Sequence, residues 1–134
     1  MTEGTGGLSA SVLVVEDDPD LRTMVERTLR RLGHAVTAVA DGPAALAALD
    51  SGSAFDLLFT DVKLPGGMNG IEVARAARQR RPGLPVLLTS GLGVHATPLG
   101  RPEPGMALIG KPYRTEELRT AIAALLGHAP DRAG

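Results

Sequence analysis

The chain contains no cysteine, so disulfides and thiolate metal sites are excluded. It has no tryptophan, and aromatic residues make up only 2% of it, which leaves no platform for stacking nucleic-acid bases. No long basic run is present and the net charge is −1, so the electrostatic footprint of a nucleic-acid binder is missing too. No segment approaches the roughly 18 consecutive apolar residues of a membrane-spanning helix. The opening Met1-Thr2-Glu3-Gly4-Thr5-Gly6-Gly7 lacks a basic start followed by an apolar stretch, so it does not read as a secretory signal. These absences set the expectation: a cytoplasmic protein with neither nucleic acid nor membrane as partner.

What remains is 134 residues with 43% apolar content, enough for one domain with a sizeable core and no covalent staples. The chain is organised around Leu57-Leu58-Phe59-Thr60-Asp61, where a short apolar run ends abruptly in a carboxylate. A turn-rich loop follows, Val62-Lys63-Leu64-Pro65-Gly66-Gly67-Met68-Asn69-Gly70. Apolar runs of this length, bounded by turn residues, read as strands buried on both faces. Val12-Leu13-Val14-Val15 is another such run, ending in Glu16-Asp17-Asp18. Pro19 suits a first helical position with Asp18 as its cap. Leu21, Met24, Val25, Thr28, Leu29 and Leu32 then recur at helical spacing up to a stop at Gly33.

The alternation continues. Residues 35–40 predict a strand, and Asp41-Gly42-Pro43 starts a helix through roughly Leu49. Ile71, Ala74 and Ala77 mark a helix from Gly70 to about Arg80, where Arg75, Arg78, Arg80 and Arg81 complement the helix dipole. Pro85-Val86-Leu87-Leu88-Thr89 and Met106-Ala107-Leu108-Ile109 predict two more strands. Thr115 is expected to cap a last helix carrying Leu118, Ile122, Leu125 and Leu126. Strands alternating with helices imply βαβ units, and hence an α/β fold with a parallel sheet and helices on both faces. Between Thr89 and Gly105 a helix is due, but the glycines and prolines there cost roughly 1 and 3 kcal/mol each in a helix interior. A loop is expected instead. Residues 1–9 read as a flexible leader, 10–127 as the domain and 128–134 as a frayed tail.

Four of these strands end in chemically distinctive groups: Glu16-Asp17, Asp61, Thr89 and Lys111. Parallel strands point their carboxyl ends to one side, so these groups converge on one crevice. Crowded carboxylates repel unless a cation is bound, and Mg²⁺ suits a site of few carboxylates and several waters. An ammonium and a hydroxyl beside them are what a phosphoryl group needs, with Asp61 as nucleophile. Each member also has an ordinary explanation. The acids favour a helix N-terminus, a strand favours threonine, and a turn tolerates lysine. Their joint placement at separate strand ends is what favours chemistry.

Val12 to Pro19, Asp61-Val62-Lys63-Leu64-Pro65, Leu88-Thr89-Ser90-Gly91 and Lys111-Pro112-Tyr113 together resemble the receiver domain of bacterial two-component response regulators. The resemblance covers roughly residues 10–127. It implies a three-layer, flavodoxin-like, doubly wound fold of five parallel strands in the order 2-1-3-4-5, here with a fourth helix that is short or absent. It also implies that Asp61 accepts a phosphoryl group from a histidine kinase or histidine phosphotransfer protein. Asp17 and Asp61 would bind Mg²⁺ directly, Glu16 through water, and Lys63 through its backbone carbonyl. Thr89 and Lys111 would contact the phosphoryl oxygens, and the Lys111–Pro112 bond would be cis.

Leu108 departs from the family, which usually carries an aromatic switch residue there. Gly66-Gly67 also adds a residue to the loop after Asp61, a combination resembling hybrid-kinase receivers or small stand-alone regulators. A stand-alone switch signalling through protein contacts, monomeric or weakly dimeric, is the expectation. A domain excised from a hybrid kinase is the alternative. An aspartate-nucleophile phosphatase would need a second acid where Lys63 stands, and a non-phosphorylated interaction module would have no use for the intact set.

Overall fold

A computed structural model describes residues 9–64, 67–91 and 104–127. Five strands form one sheet: β1 (Ser11–Val15), β2 (Ala35–Val39), β3 (Leu57–Asp61), β4 (Val86–Ser90) and β5 (Met106–Gly110). Their order is β2-β1-β3-β4-β5 and every pairing is parallel. Among the described residues four helices cover the sheet: α1 (Pro19–Arg31), α2 (Gly42–Asp50), α3 (Gly70–Arg80) and α4 (Thr115–Gly127). This is the flavodoxin-like, doubly wound arrangement expected from the sequence. The expected loop in place of a helix between β4 and β5 falls mostly on residues 92–103, outside the described residues. The leader up to residue 8 and the tail 128–134 also lie outside them.

Local signals explain where the elements start and stop. Asp18 caps α1, its carboxylate accepting from the backbone N–H of Asp20 and Leu21, with Pro19 as the first helical residue. Gly33 follows the C-cap at φ +99°, a conformation that glycine adopts without penalty. Asn69 and Glu72 form a reciprocal capping box at the start of α3. One expected cap is displaced: Thr115 is the first residue inside α4 rather than its cap. Arg114 takes the cap position, because its carbonyl accepts from Leu118 and its N–H is satisfied by the Glu117 carboxylate.

The sheet separates two hydrophobic cores. Leu13, Val15, Leu58, Val86 and Leu88 meet α2 and α3 through Leu49, Ile71 and Val73. Val12, Val14, Leu57, Phe59 and Leu87 meet α1 and α4 through Val25, Leu29, Leu118 and Ile122. Side chains alternate along each strand, so consecutive residues serve opposite cores. β3 and β4 are buried along their whole length, which is why their sequences are continuous apolar runs. The helical spacing in α1 is only partly spent on burial. Val25 and Leu29 are buried, whereas Leu21 is 36% and Met24 59% exposed.

The arginines at the end of α3 do more than complement a dipole. Arg78 donates to the carbonyls of Leu84 and Pro104, Arg80 pairs with Asp50, and Arg81 donates to the carbonyls of Leu49 and Ser53. They tie the end of α3 to the end of α2 and to the segments that lead into β3, β4 and β5.

Candidate functional site

The acidic and basic groups picked out along the sequence meet at the carboxyl edge of the sheet. Asp61 is the last residue of β3 and lies beside Thr89 of β4 in the strand register. The ladder continues beyond the strands: Val62 N–H donates to Thr89 O at 2.8 Å, and Lys111 N–H donates to Ser90 O at 2.9 Å. The backbone behind the site is thereby held by hydrogen bonds from β3 to β5. Glu16 follows β1 directly, and its N–H donates to Val39 O at 3.0 Å.

The Lys111 ammonium lies 2.8 Å from Asp61 Oδ2 and 3.5 Å from Glu16 Oε1. Glu16 is 6% and Asp61 9% exposed, while Asp17 is open to solvent. Burial raises the Glu16 pKa above the ordinary glutamate value, against the lowering effect of the Asp18 N–H and of Lys111. Burial works against the charge of Lys111 too. The hydrogen bond and charge of Asp61, with Glu16 behind, outweigh it, so the Lys111 pKa is raised. Thr89 is buried, and no hydrogen bond from its hydroxyl is found among the described residues.

Glu16, Asp17 and Asp61 can each offer an oxygen within 4.8 Å of the others. Among the described residues Lys111 is the cation found paired with this cluster, through Asp61 and Glu16, so three carboxylates leave an excess of negative charge in a half-buried place. An all-oxygen donor set with uncompensated charge fits a hard divalent cation. A cleft of about 500 Å³ opens over these residues, lined further by Lys63, Leu64 and Lys111. Asp18, in contrast, spends its carboxylate on capping α1. The Lys111–Pro112 peptide is cis, as the resemblance implied.

Three contributors were not anticipated. Arg22 donates to Glu16 O at 2.9 Å, steadying the turn after β1 from the first turns of α1. Gly70 lies so close to the end of β3 that a Cβ there would stand 1.9 Å from Asp61 O. Tyr113 packs edge-to-face on Phe59, with ring centroids 6.3 Å apart. The Arg22 and Gly70 contacts leave no local trace in the sequence. The Asn69-x-x-Glu72 spacing that starts α3 beside Gly70 was readable as a capping box.

A family model described as response regulator receiver domain matches residues 12–123. The transcriptional regulatory protein TcrA of Mycobacterium tuberculosis is 36% identical over 120 residues, covering 89% of this chain and 47% of TcrA. The chain spans about half the length of the curated relatives it matches first. A solved response regulator receiver protein from Sinorhizobium medicae aligns at 31% identity with a TM-score of 0.80, covering 90% of this chain and 97% of that one. The receiver domain of the hybrid histidine kinase CckA aligns at 30% identity with a TM-score of 0.73, covering 87% and 98%. Sequence, topology and the arrangement at the sheet edge agree: the chain belongs to the response regulator receiver domain family, the signalling modules of two-component systems.

Proposed function

We propose that Asp61 accepts a phosphoryl group from the phosphohistidine of a histidine kinase or histidine phosphotransfer protein, and that the chain signals through protein contacts. The observation that carries this is the Lys111 ammonium set 2.8 Å from Asp61 within a cluster of three carboxylates. A buried pair of this kind is weak evidence for stability, and its placement at the rim of the sheet favours a chemical role. A carboxylate oxygen of Asp61 forms the new O–P bond as the N–P bond of the donor breaks. The N–P electron pair leaves with the imidazole nitrogen. Lys111 and the Thr89 hydroxyl then hold the phosphoryl oxygens.

Mg²⁺ is the cation we assign to the acidic cluster, held by Asp17, Asp61 and the backbone carbonyl of Lys63, with Glu16 acting through water. When bound, it neutralises charge on the phosphoryl oxygens. Asp17 and Glu16 hold this position, and the buried base of Glu16 keeps bulk water from one side of the acceptor. The chain works as a switch rather than an enzyme, promoting only its own phosphorylation and dephosphorylation.

The donor imidazole has to reach Asp61, so the donor covers the surface around the cleft. Leu21 and Met24 are the exposed large apolar side chains among the described residues, and they stand next to that cleft on α1. We assign them to donor docking. So small an apolar patch suits a monomer or a weak dimer, and a net charge of −1 suits a protein partner better than nucleic acid. Among the described residues no helix is long and apolar enough to cross a membrane, in keeping with a cytoplasmic switch. The test is intact mass after incubation with acetyl phosphate and Mg²⁺. One phosphoryl adduct is expected, prevented by EDTA and absent in Asp61→Asn. An adduct that persists in Asp61→Asn would place the acceptor elsewhere.

A further inference from the structure

The sheet register decides which core lies under the acceptor. Asp61 and Thr89 follow Phe59 and Leu87 by two residues, and Glu16 follows Val14 by two. Val14, Phe59 and Leu87 all face α1 and α4, so the three polar groups share that face. Leu108, at the position where an aromatic switch was expected, packs in the opposite core with α2 and α3. Tyr113 packs in the core beneath the acceptor, its ring plane at 62° to that of Phe59.

Tyr113, like Glu16 and Val25, lines two spaces. One is a void of about 10 Å³ bounded by Phe59, Asp61 and Thr89, with room for a single water at most. The other is a groove of about 400 Å³ between α1 and α4, walled by Leu21, Met24, Val25 and Leu118. Tyr113 therefore borders both the acceptor site and the surface beside it.

We propose that Tyr113 is a relay: phosphorylation of Asp61 shifts its ring against Phe59 and reshapes the α1–α4 groove, so the donor meets a different surface before and after transfer. The proposal rests on the reading of Asp61 as phosphoacceptor. Before transfer, Lys111 is held by Asp61 and Glu16. An aspartyl phosphate moves negative charge outward and adds strong acceptor oxygens. The ammonium follows, since charge-assisted bonds are the strongest available to it. Only Pro112 stands between Lys111 and Tyr113, so whatever part of the movement the Lys111 backbone takes up reaches the tyrosine through one residue. The close-packed core favours a jump between discrete ring positions over continuous deformation. Leu108 has no ring and lies on the wrong side of the sheet for this role.

The chain has a single tyrosine, so 3-fluorotyrosine labels Tyr113 alone. The test combines its fluorine resonance with the methyl resonance of Met24, at the groove, and of Met106, in the opposite core. Spectra of the full chain are recorded with and without beryllofluoride and Mg²⁺. A fluorine shift larger than the linewidth is expected, with Met24 moving more than Met106. In Tyr113→Leu the Met24 response should fall to half or less, while the Thr89 and Lys111 amides still respond, and Tyr113→Phe should restore it. A stationary fluorine resonance beside responding Thr89 and Lys111 amides would overturn the relay and leave the acceptor reading intact. So would an undiminished Met24 response in Tyr113→Leu. Silence at all of these positions would overturn the acceptor reading and the relay with it.

Discussion

Replacing Gly70 by alanine should damage both the fold and the proposed phosphorylation site. The added methyl would stand 1.9 Å from Asp61 O, 2.8 Å from Asp61 C and 2.9 Å from Val62 Cα. All three neighbours are backbone, so no side chain can swing aside. The Gly70 N–H also donates to Val62 O at 2.7 Å, pinning the first turn of α3 against the end of β3. Restoring an ordinary contact requires the two elements to part by more than about 1 Å. Overpacking of this kind costs about 1–3 kcal/mol, and losing the Gly70–Val62 hydrogen bond adds about 1 kcal/mol. The expected destabilisation is thus about 3 kcal/mol, or roughly 10 °C in Tm for a domain of this size. Because the displaced group is the backbone of the proposed acceptor, a shift of about 1 Å should slow phosphorylation by around 10²-fold.

Urea denaturation and the rate of adduct formation by intact mass measure the two effects. Gly91→Ala is the control: among the described residues nothing lies within 4 Å of a Cβ at that position. Its stability should be unchanged or raised by about 0.5 kcal/mol. A Gly70→Ala protein within about 1 kcal/mol of the parent, phosphorylated at the same rate, would refute the inferred close approach.

Three further outcomes follow from other parts of the molecule. Leu118 is fully buried between α4 and the sheet, so Leu118→Ala should cost about 3 kcal/mol in a chemical melt. Mg²⁺ at ten times its Kd should add about 1.4 kcal/mol of stability, and a thermal shift that persists in Asp17→Asn would count against the assigned ligand. His34 is buried, its Nδ1 accepts from Ala10 N–H at 3.1 Å, and burial lowers its pKa. The unfolded chain takes up that proton first, so stability should fall as pH drops below about 6.5 towards the folded-state pKa. His34→Asn should flatten that part of the stability–pH curve, and an unchanged slope would argue against the buried neutral imidazole.

The sequence was most legible where a physical constraint is local. Asp18 before Pro19, Gly33 after the helix and Asp41 before Gly42 act within a turn of their own positions, and each stands where expected. The site was legible for a different reason. In a parallel sheet, the residue that ends each strand goes to the same edge, so Glu16, Asp61, Thr89 and Lys111 were brought together by topology alone. What escaped depends on distant partners. Helical spacing shows which residues share a face but not how wide the neighbouring surface is, so Met24 and Val25 look alike in sequence and differ in burial. Arg78 finds Pro104, and Arg81 finds Ser53, only after the sheet has formed. The approach of Gly70 to Asp61 is set by how α3 docks, which a run of letters does not encode.

The two cores described above lie on opposite faces of one sheet, whose strands send alternate side chains to each. Changes to residues that share no partner across it combine almost independently. The half beneath α1 and α4 adjoins the proposed acceptor carboxylate, while the half beneath α2 and α3 reaches it through Gly70 at the end of β3. A lineage carrying this domain can therefore renovate the α2–α3 side away from Gly70, trading residues there to suit new neighbours, while the chemistry proposed for the strand ends stays as it is.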